Sequence, residues 1–380
     1  MVCLNQKHVK RVVLEAIFLF GTLFALTAFL LLSWAVEKKL HDWQQKDFSA
    51  VIHVNGIRGK TSTSRLLDAA LRGRYRVFTK TTGTDAVWIG TDGEEHPVRR
   101  LGPANIREQL VMLRKAHRQR AEIVILECMA VQPELQKICQ EQIVQSGITV
   151  ITNIRRDHLF ELGESPEEIA ASLSETVPVG GTVYTADGET ARLMEPYCQE
   201  RHCKLILCGQ HGTVQENVEI ALAVAEQLGV DRVQAKTGID TYYKNDFGVQ
   251  REYSLPGDRA FLNLFSVNDP DSTRMNLERV RAGRELAFLF NHRYDRPDRL
   301  LLFCRHFFPY YQDETIYCIG QGAHLLKRFL KNCKTAIVPV ENWYDCIERL
   351  TPGSLLVGVG SIKGEGYRMV QELERSRNDE

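Results

Sequence analysis

A strand that breaks on glycine and restarts as a helix at Lys-Thr constrains this chain more than any other stretch. In Val51-Ile-His-Val-Asn-Gly-Ile-Arg-Gly-Lys-Thr-Ser-Thr63, the β-branched run Val51, Ile52, Val54 predicts a buried strand. The run stops at Asn55-Gly56 and turns through Gly59. Lys60 and Thr61 then open a helix with Leu66, Leu67, Ala70 and Leu71 on one face. This order suits a nucleotide polyphosphate. Glycines let backbone N–H groups close around phosphates, and the helix N-terminus adds partial positive charge. Lys60 would reach the terminal phosphates and the Thr61 hydroxyl would ligate Mg2+. The spacing is shorter than the usual Walker pattern, whose first glycine would fall on Val54. The candidate nucleotide-binding residues of the turn are Asn55, Gly56, Arg58, Gly59, Lys60, Thr61 and Ser62.

At 380 residues the chain is long enough for two domains. Its 48 basic and 48 acidic residues cancel, so no nucleic-acid footprint is indicated. The ten cysteines include no Cys-x-x-Cys and read as free thiols in a reducing compartment. One dense cluster, Cys198, His202, Cys203, Cys208 and His211, has spacings that fit no common zinc finger. Core or surface thiols are the better reading.

Residues 12–36 are apolar apart from Glu15 and polar Thr and Ser. They reach roughly 37 Å as a helix, enough to cross a bilayer with some tilt. Trp34 suits an interface, and the run is too long for a secretory signal. A retained single-pass anchor in the cell membrane is expected, and a nucleotide site puts the remainder in the cytosol. Residues 37–50 read as a polar link. Beyond 51, strands alternate with helices, which predicts parallel α/β layers. Expected strands include 122–128, 148–152, 182–185, 204–208, 260–266, 286–290, 315–319, 336–338 and 354–359. Ser254-Leu-Pro-Gly-Asp258 reads as a boundary. The expected organisation is an anchor over 1–40, a central domain over 41–256 and a C-terminal domain over 257–380.

In open α/β sheets, ligands gather where strands end. Four polar clusters are expected there. Lys80-Thr-Thr-Gly-Thr-Asp85 offers hydroxyls, Thr82 among them, and a carboxylate. Glu127 ends an apolar strand and is a candidate Mg2+ ligand, since Mg2+ takes one or two carboxylates beside phosphate oxygens. Asp157-His158 is an acid–base pair, a metal site or a helix start. Arg293, Arg296 and Arg299 form either a solvated loop or a guanidinium set for phosphate or carboxylate.

Gly56-Ile-Arg-Gly-Lys-Thr61 resembles the short P-loop of the Mur ligases and folylpolyglutamate synthetases. Asn153-x-x-x-Asp157-His158-Leu159 and the helix opened by Asn217 resemble two further landmarks. Longer phrases point to one branch, the membrane-bound poly-γ-glutamate synthetase subunits of the PgsB/CapB family. They are Lys80-Thr-Thr-Gly-Thr-Asp-Ala86, Gly102-Pro-Ala-Asn-Ile-Arg-Glu-Gln109, Glu127-Cys-Met-Ala-Val131, Asn268-Asp-x-x-Ser-Thr273 and Asp295-Arg-x-Asp-Arg299. The resemblance runs from about residue 51 to the C-terminus. It implies an α/β protein with an N-terminal transmembrane helix, a Mur-ligase-like P-loop ATPase domain and a C-terminal Rossmann-like domain.

The resemblance also implies chemistry. ATP would phosphorylate a carboxylate, and the amine of glutamate would attack the acyl phosphate. Lys60, His158, Arg293 and Arg296 would be catalytic. Thr61, Thr82, Glu127 and His158 would hold Mg2+, Asn217 would face adenine, and Asp269 would lie near the ribose, with Arg299 also on ATP. The implied partners are glutamate, the growing polymer, the bilayer and small membrane subunits of a synthase and export complex. Two departures stand out. The lysine that many Mur enzymes carbamylate has no counterpart, since no Lys occurs between Lys137 and Lys204, and a membrane helix replaces the domain that binds a nucleotide-sugar precursor. The competing expectations are a tethered folate polyglutamate ligase and a membrane ATPase that energises export without ligation.

Overall fold

A computed structural model describes residues 2–83, 86–100, 102–209, 216–244, 250–320 and 323–378. It divides into residues 1–49 and 50–380. The first unit contains one helix, α1 (Val2–Gln45). Within it, the helix from His8 to Gln45 is long and apolar enough to cross a membrane. The Thr22, Thr27 and Ser33 hydroxyls donate to carbonyls three or four residues earlier, which hides them inside the helix as a bilayer requires. Glu15 accepts from Arg11 at 2.9 Å. The expected polar link is helical as far as Gln45. Glu37, Lys38, Lys39 and Leu40 are good helix formers, and Lys38 pairs with Asp42 one turn on at 2.8 Å.

In the second unit the described residues form fourteen strands in two sheets. The first sheet comprises β1 (Ala50–Asn55), β2 (Val77–Lys80), β3 (Val87–Ile89), β4 (Glu95–Pro97), β5 (Ile123–Glu127), β6 (Ile148–Ile151), β7 (Thr182–Thr185) and β8 (Lys204–Leu207). Their order is β4-β3-β2-β5-β1-β6-β7-β8, and every pairing is parallel except β2–β3 and β3–β4. Strand β1 lies between β5 and β6, so three C-terminal ends converge on the loop that follows it. Successive residues serve opposite faces, as the pleat demands. Val150 and Tyr184 join one apolar layer, Ile151 and Val183 the other. Cys208 lies in the first of these layers and Cys198 in the second, so the two thiols are core residues on opposite faces; His211 lies outside the described residues.

The second sheet comprises β9 (Arg251–Leu255), β10 (Arg259–Asn263), β11 (Leu286–His292), β12 (Thr315–Gly320), β13 (Ala336–Pro339) and β14 (Leu355–Gly360). Their order is β13-β12-β11-β14-β10-β9, and only β9 is antiparallel. The Ser254–Asp258 phrase is the turn of the β9–β10 hairpin, with Gly257 at a φ of 77°. The expected parallel layers are therefore mixed sheets, each with antiparallel strands added at one edge.

Candidate active site

Helix α2 (Lys60–Arg72) begins directly after the β1 turn and is buried along nearly its whole length. Leu66, Leu67, Ala70 and Leu71 join the apolar layer, and the polar residues between them are paired. Arg65 makes a two-pronged contact with Glu95 at 2.6 and 2.9 Å, and Asp68 accepts from Arg72 and from the Thr79 hydroxyl. The turn needs both glycines. Gly56 has a φ of 117°, and a Cβ there would meet the Thr152 backbone nitrogen at 2.8 Å. Gly59 has a φ of 81°, and a Cβ would press on the Asn217 amide at 3.1 Å. Asn217, near the start of the helix Glu216–Gln227, thus lies against the turn. Asn153 holds the same turn from β6: its Oδ1 accepts from the Arg58 N–H and its Nδ2 donates to the Arg58 carbonyl, both at 3.0 Å.

Lys60 folds back over the turn and donates to the Gly56 carbonyl at 2.7 Å. Burial lowers its pKa, and Glu127 opposes the shift. Asn55 points its amide at Gln136 and Thr176, at 2.7 and 3.1 Å, so its side chain serves the scaffold beneath the turn. Ser62 lines the cleft above.

At the end of β5, Glu127 is 2% exposed. It accepts from the Thr61 hydroxyl at 2.9 Å, the Thr82 N–H at 2.7 Å and the Thr82 hydroxyl. Gln109 donates to its backbone carbonyl at 2.9 Å. A carboxylate and two hydroxyls on one spot make a hard-oxygen donor set, suited to a hard divalent cation that completes its shell with phosphate oxygens and water. Among the described residues no three His, Cys, Asp or Glu side chains could hold a metal by themselves, so any cation here depends on such shared oxygens. Lys80 is buried beneath, its Nζ 3.7 Å from Glu108 and 3.4 Å from the Met129 sulfur. Burial lowers its pKa as well. Thr84 and Asp85 lie outside the described residues.

Asp157, after β6, is fully buried. Arg58 reaches it at 2.6 Å, Arg296 at 2.9 Å and Arg299 at 3.6 Å. Burial works against its charge, but the surrounding cations hold its pKa well below the usual carboxylate range. Arg58 also donates to Asp269 at 2.8 Å, so one guanidinium from the β1 turn grips carboxylates of both sheet regions. Asp269 meanwhile caps the helix Pro270–Val280 through the Ser272 N–H at 2.8 Å. Arg293 pairs with Asp295 at 2.5 Å and is more exposed.

His158 follows Asp157 in a left-handed conformation with φ of 54°. Burial and the neighbouring Lys60, Arg58 and Arg296, offset by Asp157, bring its pKa down to about 4, leaving a neutral imidazole at pH 7. Its ring contacts are Asp157 at 3.9 Å and Glu161 at 3.8 Å; like Glu127, it lines the cleft.

One cleft at the strand ends takes in Lys60, Thr61, Thr82, Glu127, His158 and Asn217 from the first sheet region and Arg293, Arg296 and Arg299 from the second. Asn153, Gln109 and Lys80 stand in the phrases quoted above but carry no expected role there. Their polar type at strand and helix ends was the available signal.

The Mur ligase middle domain model matches residues 54–267, and the poly-gamma-glutamate synthase CapB C-terminal domain model matches 252–376. The capsule biosynthesis protein CapB of Bacillus anthracis is 30% identical, over 96% of this chain and 84% of that protein. The PGA synthase CapB of Bacillus subtilis is also 30% identical, over 91% and 95%. Among solved structures, FolC of E. coli in complex with DHPP and ADP superposes with a TM-score of 0.60 at 16% identity, covering 90% of this chain and 93% of that one. The bifunctional folylpolyglutamate synthase/dihydrofolate synthase of Yersinia pestis with AMPPNP and Mn gives 0.61 at 15%, covering 88% and 92%. These last two likenesses establish the fold. With two family models in tandem and two relatives matched along most of their length, the chain belongs to the CapB family of poly-γ-glutamate synthases.

Proposed function

We propose that this ATP-dependent amide ligase polymerises glutamate through its γ-carboxyl, by way of an acyl phosphate. A γ-carboxylate oxygen attacks the γ-phosphorus of ATP and ADP departs. The amine of the next glutamate then attacks the carbonyl carbon, phosphate leaves, and the nitrogen gives up a proton. A carboxylate repels nucleophiles and has no good leaving group, and phosphorylation removes both defects. The protein's task is to hold like-charged reactants together and neutralise them.

Lys60, once drawn off the Gly56 carbonyl, would bind the β- and γ-phosphates, with the N–H groups of Gly59 to Ser62 around them. Thr61, Thr82 and Glu127 would hold Mg2+, which supplies charge neutralisation at the phosphates. His158, neutral at pH 7, would offer a lone pair at the same cleft, and Asn217 would border the nucleotide. Arg293, Arg296 and Arg299 would receive phosphate or substrate carboxylates. The reading rests above all on one observation: the Thr61 and Thr82 hydroxyls converge on buried Glu127 while Lys60 stands on the adjoining turn. With α1 in the cell membrane the catalytic regions would face the cytoplasm, and small membrane subunits would complete the synthase.

Membranes containing the protein, given ATP and isotope-labelled glutamate, should release ADP and phosphate and yield γ-linked oligomers by mass spectrometry. ATP turnover indifferent to glutamate would favour an export ATPase instead.

A further inference from the structure

The Gly102–Gln109 phrase leads into α3 (Glu108–Arg118) and has no part in the chemistry above. Residues 99–120 contain seven basic residues and one acidic one, in a chain whose totals, 48 basic and 48 acidic residues, are equal. Arg107, Val111, Arg114 and Arg118 recur at intervals of four, three and four, which aligns them on one face of the helix. Arg107 and Arg118 are exposed, as is Val111 at 53%, while Gln109, Met112, Leu113 and Ala116 face inward. The stripe is about 16 Å long.

The N-terminal end of α3, where this stripe begins, abuts the active site. Gln109 holds the Glu127 carbonyl from the first turn of α3, and Arg100 lines the cleft with its guanidinium on Glu108 at 2.6 and 3.0 Å. Helix stability does not account for the pattern. Cations help at a helix C-terminus, which suits Lys115 and Arg118, but Arg99, Arg100 and Arg107 lie at the N-terminal end, where the helix dipole opposes them.

We propose that this face of α3, reached from the cleft by way of Arg100, is a binding track for the acidic product chain. The proposal rests on the ligase reading above. A γ-linked glutamate chain carries one free α-carboxylate per residue, and a row of guanidiniums neutralises the segment that leaves the site. Each extension would otherwise bring a polyanion against a bound triphosphate. A membrane surface could also attract a basic helix face, but it would not require a further guanidinium, Arg100, to stand in the cleft beside the first turn of that helix.

The test uses full-length protein in phosphatidylcholine nanodiscs and a fluorescent synthetic γ-linked glutamate decamer. Arg107→Glu with Arg118→Glu should weaken decamer binding about tenfold or more at low salt and flatten its salt dependence. ATP turnover with glutamate and a two-residue acceptor should be unchanged, and the products should shorten. Arg107→Gln with Arg118→Gln should show a smaller loss of the same sign, with an unaltered melting curve. Equal binding by wild type and the charge-reversed variant, or no binding by wild type, overturns the track. So does a difference that appears only in discs containing anionic lipid, which would assign the stripe to the membrane. A wild type that binds the decamer but extends no acceptor would instead overturn the ligase reading and leave the track standing.

Discussion

Two buried carboxylates stand in the same cleft and are held by opposite means. Glu127 is surrounded by hydroxyls and an N–H, all neutral donors. Asp157 is surrounded by guanidiniums from the β1 turn and from the helix Pro297–His306 and its approach. A carboxylate whose hydrogen bonds all come from neutral donors, with lysines acting on it only from further off, keeps more of its charge available for a cation. One already matched by fixed cations has none to spare and serves to hold other groups in place. The difference divides the cleft into a corner prepared for metal and phosphate and a corner that joins the two sheet regions.

The largest effect should come from the first corner. Glu127→Gln should cut ATP turnover by about a thousandfold or more while leaving the melting temperature close to wild type. A variant that keeps turnover and its metal dependence would erase the distinction. Asp157→Asn should instead cost stability, by about 3 kcal/mol in denaturant melts, because it strands buried guanidiniums. If it melted normally, Asp157 would have to be reassigned to the chemistry.

Acid sharpens the comparison next. The pKa values of His53 and His158 are both brought down to about 4 in the folded chain, chiefly by burial, against 6.5 in the unfolded one. A depressed histidine lets the unfolded state bind more protons, so stability is full above about pH 6.5 and falls between there and pH 4. His53 is fully buried, and on the order of 3 kcal/mol should be lost at that position across the window. Melts from pH 8 to 4 would reveal it, and a flat profile would contradict the burial of these rings. The smallest effect is set for Arg58→Lys. A lysine cannot fork to two carboxylates, so KM for ATP should rise about tenfold with kcat less affected. An unchanged KM would separate the turn from the second sheet region.

Much of this was legible beforehand. Runs such as Ile123–Leu126 and Leu286–Phe290 are apolar because both faces of a central parallel strand are buried, and they form strands as expected. The short antiparallel strands β3, β4 and β9 escaped notice, since two have only three residues and none has a long apolar run. The site divides in the same way. The residues of the β1 turn are neighbours in sequence and were read together. The grip of Arg58 on Asp269 spans 211 positions, and no local pattern carries it. Lys80 heads a phrase read for its hydroxyls and carboxylate; its own burial comes from strands on both sides of the end of β2, which the phrase does not reveal.

The double grip of Arg58 bears on how the cleft can part. Swinging the second sheet region away breaks its contact with buried Asp269 and loosens the neutralisation of Asp157 at the same moment. A half-open arrangement would leave a desolvated charge without its counterpart, so any opening here would be expected to go in one step rather than by degrees, with the nucleotide turn coupled to it.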